Sequence, residues 1–79
     1  MDVRTKFGKR LRELRLKKNI TQHKLATEAG FHRTYAGNIE RGLENPTIEA
    51  VARLADVLEV PPSAMFDFET VTDEQVDAS

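Results

Sequence analysis

Apolar side chains recur with helical spacing in two segments of the chain. Phe7, Leu11 and Leu14 follow one another at intervals of four and three residues, with Val3 one turn earlier. Apolar positions spaced in this way form a single stripe on a helix, and that stripe packs against a core. A later segment has the same pattern, and its predicted inner face consists of Ile48, Val51, Leu54, Ala55 and Leu58. No segment alternates apolar and polar residues as a strand does, so the pattern predicts an all-helical protein.

Residues that favour helix ends divide the chain into five predicted helices. Thr21 and Thr47 are good N-caps, because a hydroxyl oxygen accepts a hydrogen bond from the free N–H groups of a first turn. Asn19 and Gly30 suit the left-handed backbone at which many helices end, and Pro62 suits the first turn of a short helix. The predicted helices are Val3–Lys18, 22–29, about 33–41, 48 to about 58, and 62–66.

Length and composition bound the kind of protein that these helices form. The 79 residues suit one domain, which we place at residues 1–68, with residues 69–79 as an acidic and flexible tail. The chain has no cysteine, so neither a disulfide framework nor a cysteine-ligated zinc site is expected. Its two histidines, His23 and His32, do not make a recognisable metal site, and we expect no cofactor. No apolar run approaches the roughly 18 residues of a membrane span, so we expect a cytoplasmic protein.

Charge is divided unevenly along the chain. Residues 1–42 carry eleven of the twelve Lys and Arg against four acids, which gives a net charge of +7. Residues 43–79 carry one base and nine acids, a net charge of −8, so the whole chain has a net charge of −1. A basic half is typical of a protein that contacts phosphate groups. Two halves of opposite charge that attract each other within one fold explain the pattern equally well.

Residues 21–42 have the composition of two short helices that meet at a tight corner. Gly30 supplies the turn, and the small side chain of Ala26 allows the two helices to cross closely. The inward positions of these helices are Leu25, Ala29, Ala36 and Ile39. The outward face of the second is polar and consists of Arg33, Thr34, Tyr35, Gly37, Asn38 and Arg41. In a helix-turn-helix, the N-terminal end of this second helix enters the major groove of DNA.

This segment resembles the helix-turn-helix of the phage-repressor and Cro type, often called the XRE family. Gln22, Ala26, Gly30 and Ile39 stand at signature positions of that family, and the sequence IERG followed by NPT is typical of it. The similarity covers about residues 5–68, and the run HRTY…IERG is closer still to the controller proteins of restriction–modification systems. The resemblance implies a five-helix, lambda-repressor-like DNA-binding domain that acts as a dimeric transcription regulator.

Two positions depart from the family pattern. Ala36 stands where a larger aliphatic residue is common. Gly37 lies inside the third helix, where glycine costs about 1 kcal/mol relative to alanine. Together these two residues predict a loosely held third helix.

Four residues of the third helix are predicted to contact DNA bases. Arg33 stands where an arginine donates to both O6 and N7 of a guanine, with a solvated or phosphate-bound arginine as the alternative. We expect Thr34 to touch a thymine methyl group or a phosphate, and Asn38 to contact an adenine or a phosphate. Tyr35 either packs against the DNA or covers the turn as a structural residue, and the sequence favours neither.

Four further residues are predicted to contact phosphate groups. Gln22 begins the second helix, where free N–H groups and the helix dipole favour an anion, and the corresponding position in related repressors grips phosphate. Lys24, His32 and Arg41 are the other candidates. His32 is also a weak candidate for the cap of the third helix.

The resemblance also implies an ion pair between Arg15 of the first helix and Glu40 of the IERG sequence. The pair would lock the first helix to the third, and loss of one partner would leave a buried charge uncompensated. We therefore expect both residues to have a structural role.

The end of the chain has more apolar residues than one small core covers. An exposed apolar surface marks an association site, and one short helix reads too few base pairs to define a genomic site. We therefore expect a homodimer in which Leu54 and Leu58 stay in the core of each monomer and Phe68 anchors the interface. The predicted interface residues are Ile48, Val57, Val60, Met65 and Phe68.

The function expected from these features is that of a sequence-specific transcription regulator that binds a pseudo-palindromic operator in double-stranded DNA as a homodimer. A restriction–modification controller protein is the finer expectation, and a DNA-binding antitoxin with a protein partner is the alternative. No catalytic motif, cysteine nucleophile or phosphate-cradling glycine loop is visible, so we expect neither an enzyme nor a small-molecule substrate.

Overall fold

Helices account for all the regular structure in the computed structural model, which describes residues 1–71. The elements are α1 (Val3–Lys18), α2 (Gln22–Glu28), α3 (Tyr35–Glu40), α4 (Ile48–Leu58) and a 3-10 helix (Pro62–Phe66). α1 packs against α3, α4 and the 3-10 helix, and α2 packs against α3 and α4. The predicted all-helical class is therefore confirmed for this part of the chain, and α1 is the helix on which most of the others rest.

The fifth predicted helix is a 3-10 helix, so the domain has four α-helices and not five. Pro61 and Pro62 have no backbone N–H to donate, and the segment after them is only a few residues long. It closes with tighter bonds between residues three apart, such as that from the Ala64 N–H to the Pro61 carbonyl at 2.9 Å.

The third helix is shorter than predicted, because it begins at Tyr35 and not at about residue 33. Residues 32–34 form a turn in which the Tyr35 N–H donates to the His32 carbonyl at 2.9 Å. The Thr34 N–H donates to Nδ1 of the His32 ring at 3.2 Å, so His32 closes this turn in place of a hydroxyl cap. The second helix ends one residue before its predicted end, with Ala29 as its cap.

The other helix ends follow the predicted signals. The hydroxyls of Thr21 and Thr47 accept backbone N–H groups at 3.1 and 3.0 Å at the starts of α2 and α4. Asn19 and Gly30 have left-handed backbone, with φ of +62° and +88°. The N-cap of α1 was not predicted: the carboxylate of Asp2 accepts a hydrogen bond from the Thr5 N–H at 2.9 Å. That bond holds the pKa of Asp2 below its usual value.

One apolar core joins all five elements. Its largest fully buried side chains are Leu11, Leu25, Ile39, Leu54 and Met65. Two residues predicted to face inward do not, because Val3 is 60% exposed and Ile48 is 88% exposed. Each begins its helix, and since side chains tilt toward a helix N-terminus, a first residue extends past the end of the core.

Gly8 of α1 allows a very close contact between α1 and α3. A Cβ atom built on Gly8 would lie 2.3 Å from the carbonyl oxygen of Ile39 and 2.9 Å from that of Glu40. These distances are far below van der Waals contact, so α3 can approach α1 this closely only at a residue that has no side chain. The position of α3 on the domain therefore depends on this glycine.

A buried arginine joins α1 to the 3-10 helix. Arg10 is only 8% exposed, its Nε donates to the carbonyl of Ala64 at 2.8 Å, and its Nη1 contacts Glu13 at 3.1 Å. The predicted tail begins close by, since the hydroxyl of Thr70 donates to Glu13 at 2.6 Å. The rest of that predicted tail, residues 72–79, lies outside the described residues.

Candidate nucleic-acid interface

A buried carboxylate occupies the junction of α1 and α3. The side chain of Glu40 is 4% exposed, and Nε and Nη2 of Arg15 donate to its two oxygens at 2.6 and 3.1 Å. Arg15 also donates from Nη1 to the carbonyl of Ile20 at 3.0 Å. The two residues expected to pair are thus in direct contact, and Arg15 joins α1 both to the end of α3 and to the loop before α2.

The same carboxylate orients Gln22, the first residue of α2 and a predicted phosphate contact. Nε2 of Gln22 donates to Oε1 of Glu40 at 3.0 Å, and Nη1 of Arg12 lies 3.9 Å from the same oxygen. A carboxylate only accepts hydrogen bonds, so the NH2 group of Gln22 must face Glu40. One N–H of that group is thereby engaged within the protein.

Gly37 lies where the side chains of α2 and α3 meet. A Cβ atom there would be 3.1 Å from Oε1 of Gln22 and 3.5 Å from Nη1 of Arg41. Gly37, which suggested a loosely held helix, is buried. Its lack of a side chain leaves space for the side chains of Gln22 and Arg41, two of the predicted phosphate contacts. Ala36, the other departure from the family pattern, is fully buried in the core.

The turn before α3 presents its side chains to solvent. Arg33 and Thr34 are exposed, and Oγ1 of Thr34 lies 2.9 Å from Nδ1 of His32. Arg33 has no hydrogen bond or ion pair with any other residue in the range 1–71 that we observe. An arginine in the turn before a helix, without a partner among these residues, is available to a ligand outside them.

Tyr35 is half-buried and covers this turn. Its ring centroid is 4.6 Å from that of Phe31, and the guanidinium of Arg53 lies 5.1 Å from the centre of the Phe31 ring. Burial, together with the negative charge of Glu44, raises the pKa of Tyr35 above its usual value. The stacked rings favour the structural role that the sequence left open beside a DNA contact.

Three other candidates already have partners within the chain. The ammonium group of Lys24 lies 3.4 Å from the carboxylate of Glu28. Nη2 of Arg41 donates to Oδ1 of Asn38 at 2.6 Å. The exposed ion pair of Lys24 and Glu28 contributes little free energy, so Lys24 can turn to a phosphate instead.

α2 and α3 form the corner that residues 21–42 predict. Gly30 turns the chain with positive φ, and the next residue, Phe31, donates its N–H to the carbonyl of Ala26 at 2.9 Å. The model of the helix-turn-helix family matches residues 11–65, which is more than half of the chain. The chain belongs to the XRE family of helix-turn-helix regulators. Members of this family bind DNA and regulate transcription, and they are not enzymes.

Proteins similar to this regulator include two control proteins and one restriction-modification controller protein. The control protein C.BamHI of Bacillus amyloliquefaciens is 39% identical over 71 residues, which cover 89% of this chain and 88% of that protein. The control protein C.SmaI of Serratia marcescens is 31% identical over 75 residues, which cover 95% and 89%. The crystal structure of the restriction-modification controller protein C.AhdI from Aeromonas hydrophila has a TM-score of 0.77 and 41% identity, over 80% of this chain and 91% of that one.

The residues predicted to form a dimer interface do not all reach the surface of the regulator. Met65 is fully buried, so its assignment to the interface is wrong: it fills the core beneath the 3-10 helix. Ile48 is 88% exposed, whereas the other three pack partly against the core, namely Val57, Val60 and Phe68.

A large exposed aromatic residue was not among the predicted interface residues. Phe66 is 51% exposed, and its ring centroid lies 5.3 Å from that of Phe7 and 6.2 Å from that of Phe68. It borders a groove, which we call the apolar groove, lined by Val3, Arg4, Phe7, Asn45, Pro46, Val51 and Phe66. The exposure of Phe66 had a weak signal in the sequence, since two adjacent apolar residues of a short helix, Met65 and Phe66, cannot both face inward.

Within residues 1–71, no helix is both long enough and apolar enough to span a bilayer. The same part of the chain contains no group of three or more His, Cys, Asp or Glu side chains arranged to hold a metal ion.

Proposed function

We propose that this regulator binds a pseudo-palindromic operator as a homodimer in the cytoplasm, and that it is the controller protein of a restriction–modification system. The observation that carries the proposal is Arg33, which is exposed in the turn before α3 and has no partner among residues 1–71, on a helix that packs against α1. The names of three relatives, two control proteins and one restriction-modification controller protein, support the finer role.

Base contacts in this proposal come from the turn and the first residues of α3. Arg33 donates to O6 and N7 of a guanine in the major groove, and Thr34 beside it contacts a thymine methyl group or a phosphate. Tyr35 has its ring stacked on Phe31, so only its outer edge is left for the DNA.

Phosphate contacts flank these base contacts. Gln22 offers its free N–H at the N-terminus of α2, where the helix dipole favours an anion. Lys24, His32 and Arg41 supply further hydrogen bonds and positive charge from exposed positions. Contacts of this kind set the register of the protein on the duplex, while base contacts set the sequence.

A second copy of the chain is the partner that the apolar groove suits. Val3 and Phe66 are exposed beside it, and Ile48 lies on the adjoining first turn of α4. Contiguous apolar surface of this kind is buried when two subunits associate around a two-fold axis. Such a dimer presents two copies of α3 about 34 Å apart, which matches one turn of DNA.

Arg33→Ala is expected to relax the choice of operator, because a lost bidentate contact costs about 1–3 kcal/mol at one base pair and nothing on other sequences. The matched control, Lys24→Ala, also removes one positive charge but is expected to leave the ratio of specific to random affinity unchanged. Both ratios come from titrations of a selected duplex and a random duplex.

The same titrations repeated across salt concentrations test DNA binding itself. The logarithm of the affinity should fall linearly with the logarithm of the salt concentration, by nearly one unit for each neutralised phosphate. A DNA affinity that does not change with salt concentration would exclude the proposed function. An Arg33→Ala variant that loses the same factor on both duplexes would make Arg33 a phosphate contact.

Ile48→Asp is expected to convert the dimer to a monomer in sedimentation experiments at micromolar concentration. Ile48 is 88% exposed, so a charge there disturbs an interface without disturbing the monomer core. Leu16→Asp is the matched control, because Leu16 is also exposed, at 54%, but lies away from the apolar groove. It should remain dimeric. A wild-type protein that sediments as a monomer, or an Ile48→Asp protein that stays dimeric, would contradict this interface.

A further inference from the structure

Two carboxamide side chains at the proposed DNA-contacting surface are each held by a charged neighbour. Nε2 of Gln22 donates to Glu40 at 3.0 Å, and Oδ1 of Asn38 accepts from Arg41 at 2.6 Å. A carboxylate can only accept a hydrogen bond and a guanidinium can only donate one. The charge of each partner therefore fixes which end of each carboxamide is engaged inside the protein and which end faces outward.

The position of Arg41 follows from the shape of α3. It is the residue that ends the helix, three residues after Asn38, which places the two side chains on successive turns. Its Nη1 would lie 3.5 Å from a Cβ atom on residue 37. Because that residue is glycine, the guanidinium can lie close along the helix, and it meets the oxygen of Asn38 rather than its NH2 group.

We propose that Arg41 determines which base Asn38 reads, and that this base is a guanine. The inference rests on the proposed function and concerns the base pair under the second turn of α3. An asparagine that reads adenine uses both ends of its carboxamide, since Oδ1 accepts from N6 and Nδ2 donates to N7. With one lone pair of Oδ1 taken by Arg41 and the guanidinium lying on that side of the carboxamide, the NH2 group is the end that faces outward. Guanine offers two acceptors, O6 and N7, whereas the amino group of adenine would face another donor.

This assignment differs from the sequence-based prediction for Asn38, which was a contact with an adenine or a phosphate. Asparagine is found opposite adenine when its carboxamide is unconstrained. The sequence contains both residues but does not show that Arg41 donates to the oxygen of Asn38. Arg41 thus acts as a specificity-determining residue through Asn38, in addition to any phosphate that it contacts.

Selection of binding sites from random duplexes tests the proposal, with the full-length wild type, Asn38→Ala and Arg41→Ala. Asn38→Ala should remove the preference at one base pair of each half-site, which identifies the pair that Asn38 reads. At that pair the wild type should favour guanine over adenine by at least about fivefold. Arg41→Ala frees Oδ1 and should reduce or reverse this preference, while the guanine assigned to Arg33 stays unchanged.

Lys24→Ala is the matched control, because it removes a positive charge from a side chain that has Glu28 and not Asn38 as its partner. It should lower affinity without altering the base preference. A wild type that prefers adenine at the Asn38 pair, an Arg41→Ala variant with the wild-type preference, or an Asn38→Ala variant that changes no position would overturn the proposal. A wild type that selects no sequence at all would instead contradict the proposed function. Melting temperatures confirm that the variants, all at exposed or half-exposed positions, remain folded.

Discussion

The Glu40→Ala variant is expected to lose about 3–5 kcal/mol of its free energy of unfolding. The Glu40 carboxylate accepts hydrogen bonds from Arg15 and Gln22 in a site where its own side chain is 4% exposed. Its removal leaves the Arg15 guanidinium, 9% exposed, without the charge that compensates it. A domain of this size has a total stability of roughly 4–12 kcal/mol, so the loss removes a large share of it.

Urea denaturation followed by circular dichroism measures this loss. Glu28→Ala is the matched control, because Glu28 also pairs with a cation, at 3.4 Å, but its side chain is 50% exposed. The free energy of unfolding of Glu28→Ala should fall by no more than about 0.5 kcal/mol. The double variant Arg15→Met/Glu40→Leu should recover most of the stability, since neither charge is then left alone. If Glu40→Ala lowers the free energy of unfolding no more than Glu28→Ala does, the pair of Arg15 and Glu40 does not stabilise the fold.

Gly8→Ala is expected to destabilise the domain by about 3 kcal/mol, at the upper end of the effects of overpacking. Alanine ordinarily stabilises a helix by about 1 kcal/mol relative to glycine. Here its Cβ would lie 2.3 Å from the carbonyl oxygen of Ile39. A backbone oxygen cannot move aside unless α3 moves with it. Because α3 would move Asn38, and the turn attached to it would move Arg33, DNA affinity should fall as well.

Gly37→Ala provides the matched comparison, since it adds the same methyl group to a second helical glycine. Its Cβ would lie 3.1 Å from Oε1 of Gln22, the far end of a flexible side chain that can rotate away. We expect the melting temperature to hold or rise, and DNA affinity to fall because Gln22 and Arg41 are displaced. Thermal denaturation and DNA titration of both variants separate the two effects. A Gly8→Ala protein with the melting temperature of the wild type would show that α3 yields without strain.

Several elements of the fold were predictable because their causes are local. A hydroxyl such as that of Thr21 caps the N–H groups of its own first turn, and Gly30 turns the chain by its own positive φ. Leu11 and Leu54 are buried as their helical spacing predicts. These signals extend over only three or four residues, a distance over which the chain has few conformations to choose from.

Other features depend on which segments come to lie together. Met65 was predicted to be at an interface and fills the core, whereas Ile48 was predicted on an inner face as well as at the interface and is exposed. Both are apolar residues near the ends of their elements, and the sequence does not show how far the core extends. The close approach of α1 and α3 at Gly8 could not be predicted for the same reason, because a glycine in the sequence does not show which segment packs against it.

The sequence by itself determined the family, because the motif from Gln22 to Gly42 carries its signature residues, and it determined the approximate positions of the α-helices, because caps and apolar spacing are local signals. The pairing of Arg15 with Glu40 followed from the resemblance to that family. Tertiary structure alone decided the direction in which polar side chains face. Arg10 reaches the carbonyl of Ala64, 54 residues away, and the carboxamides of Gln22 and Asn38 are turned by Glu40 and Arg41. A side chain can donate or accept in several directions, and only the atoms that packing brings within 3 Å or so select one of them.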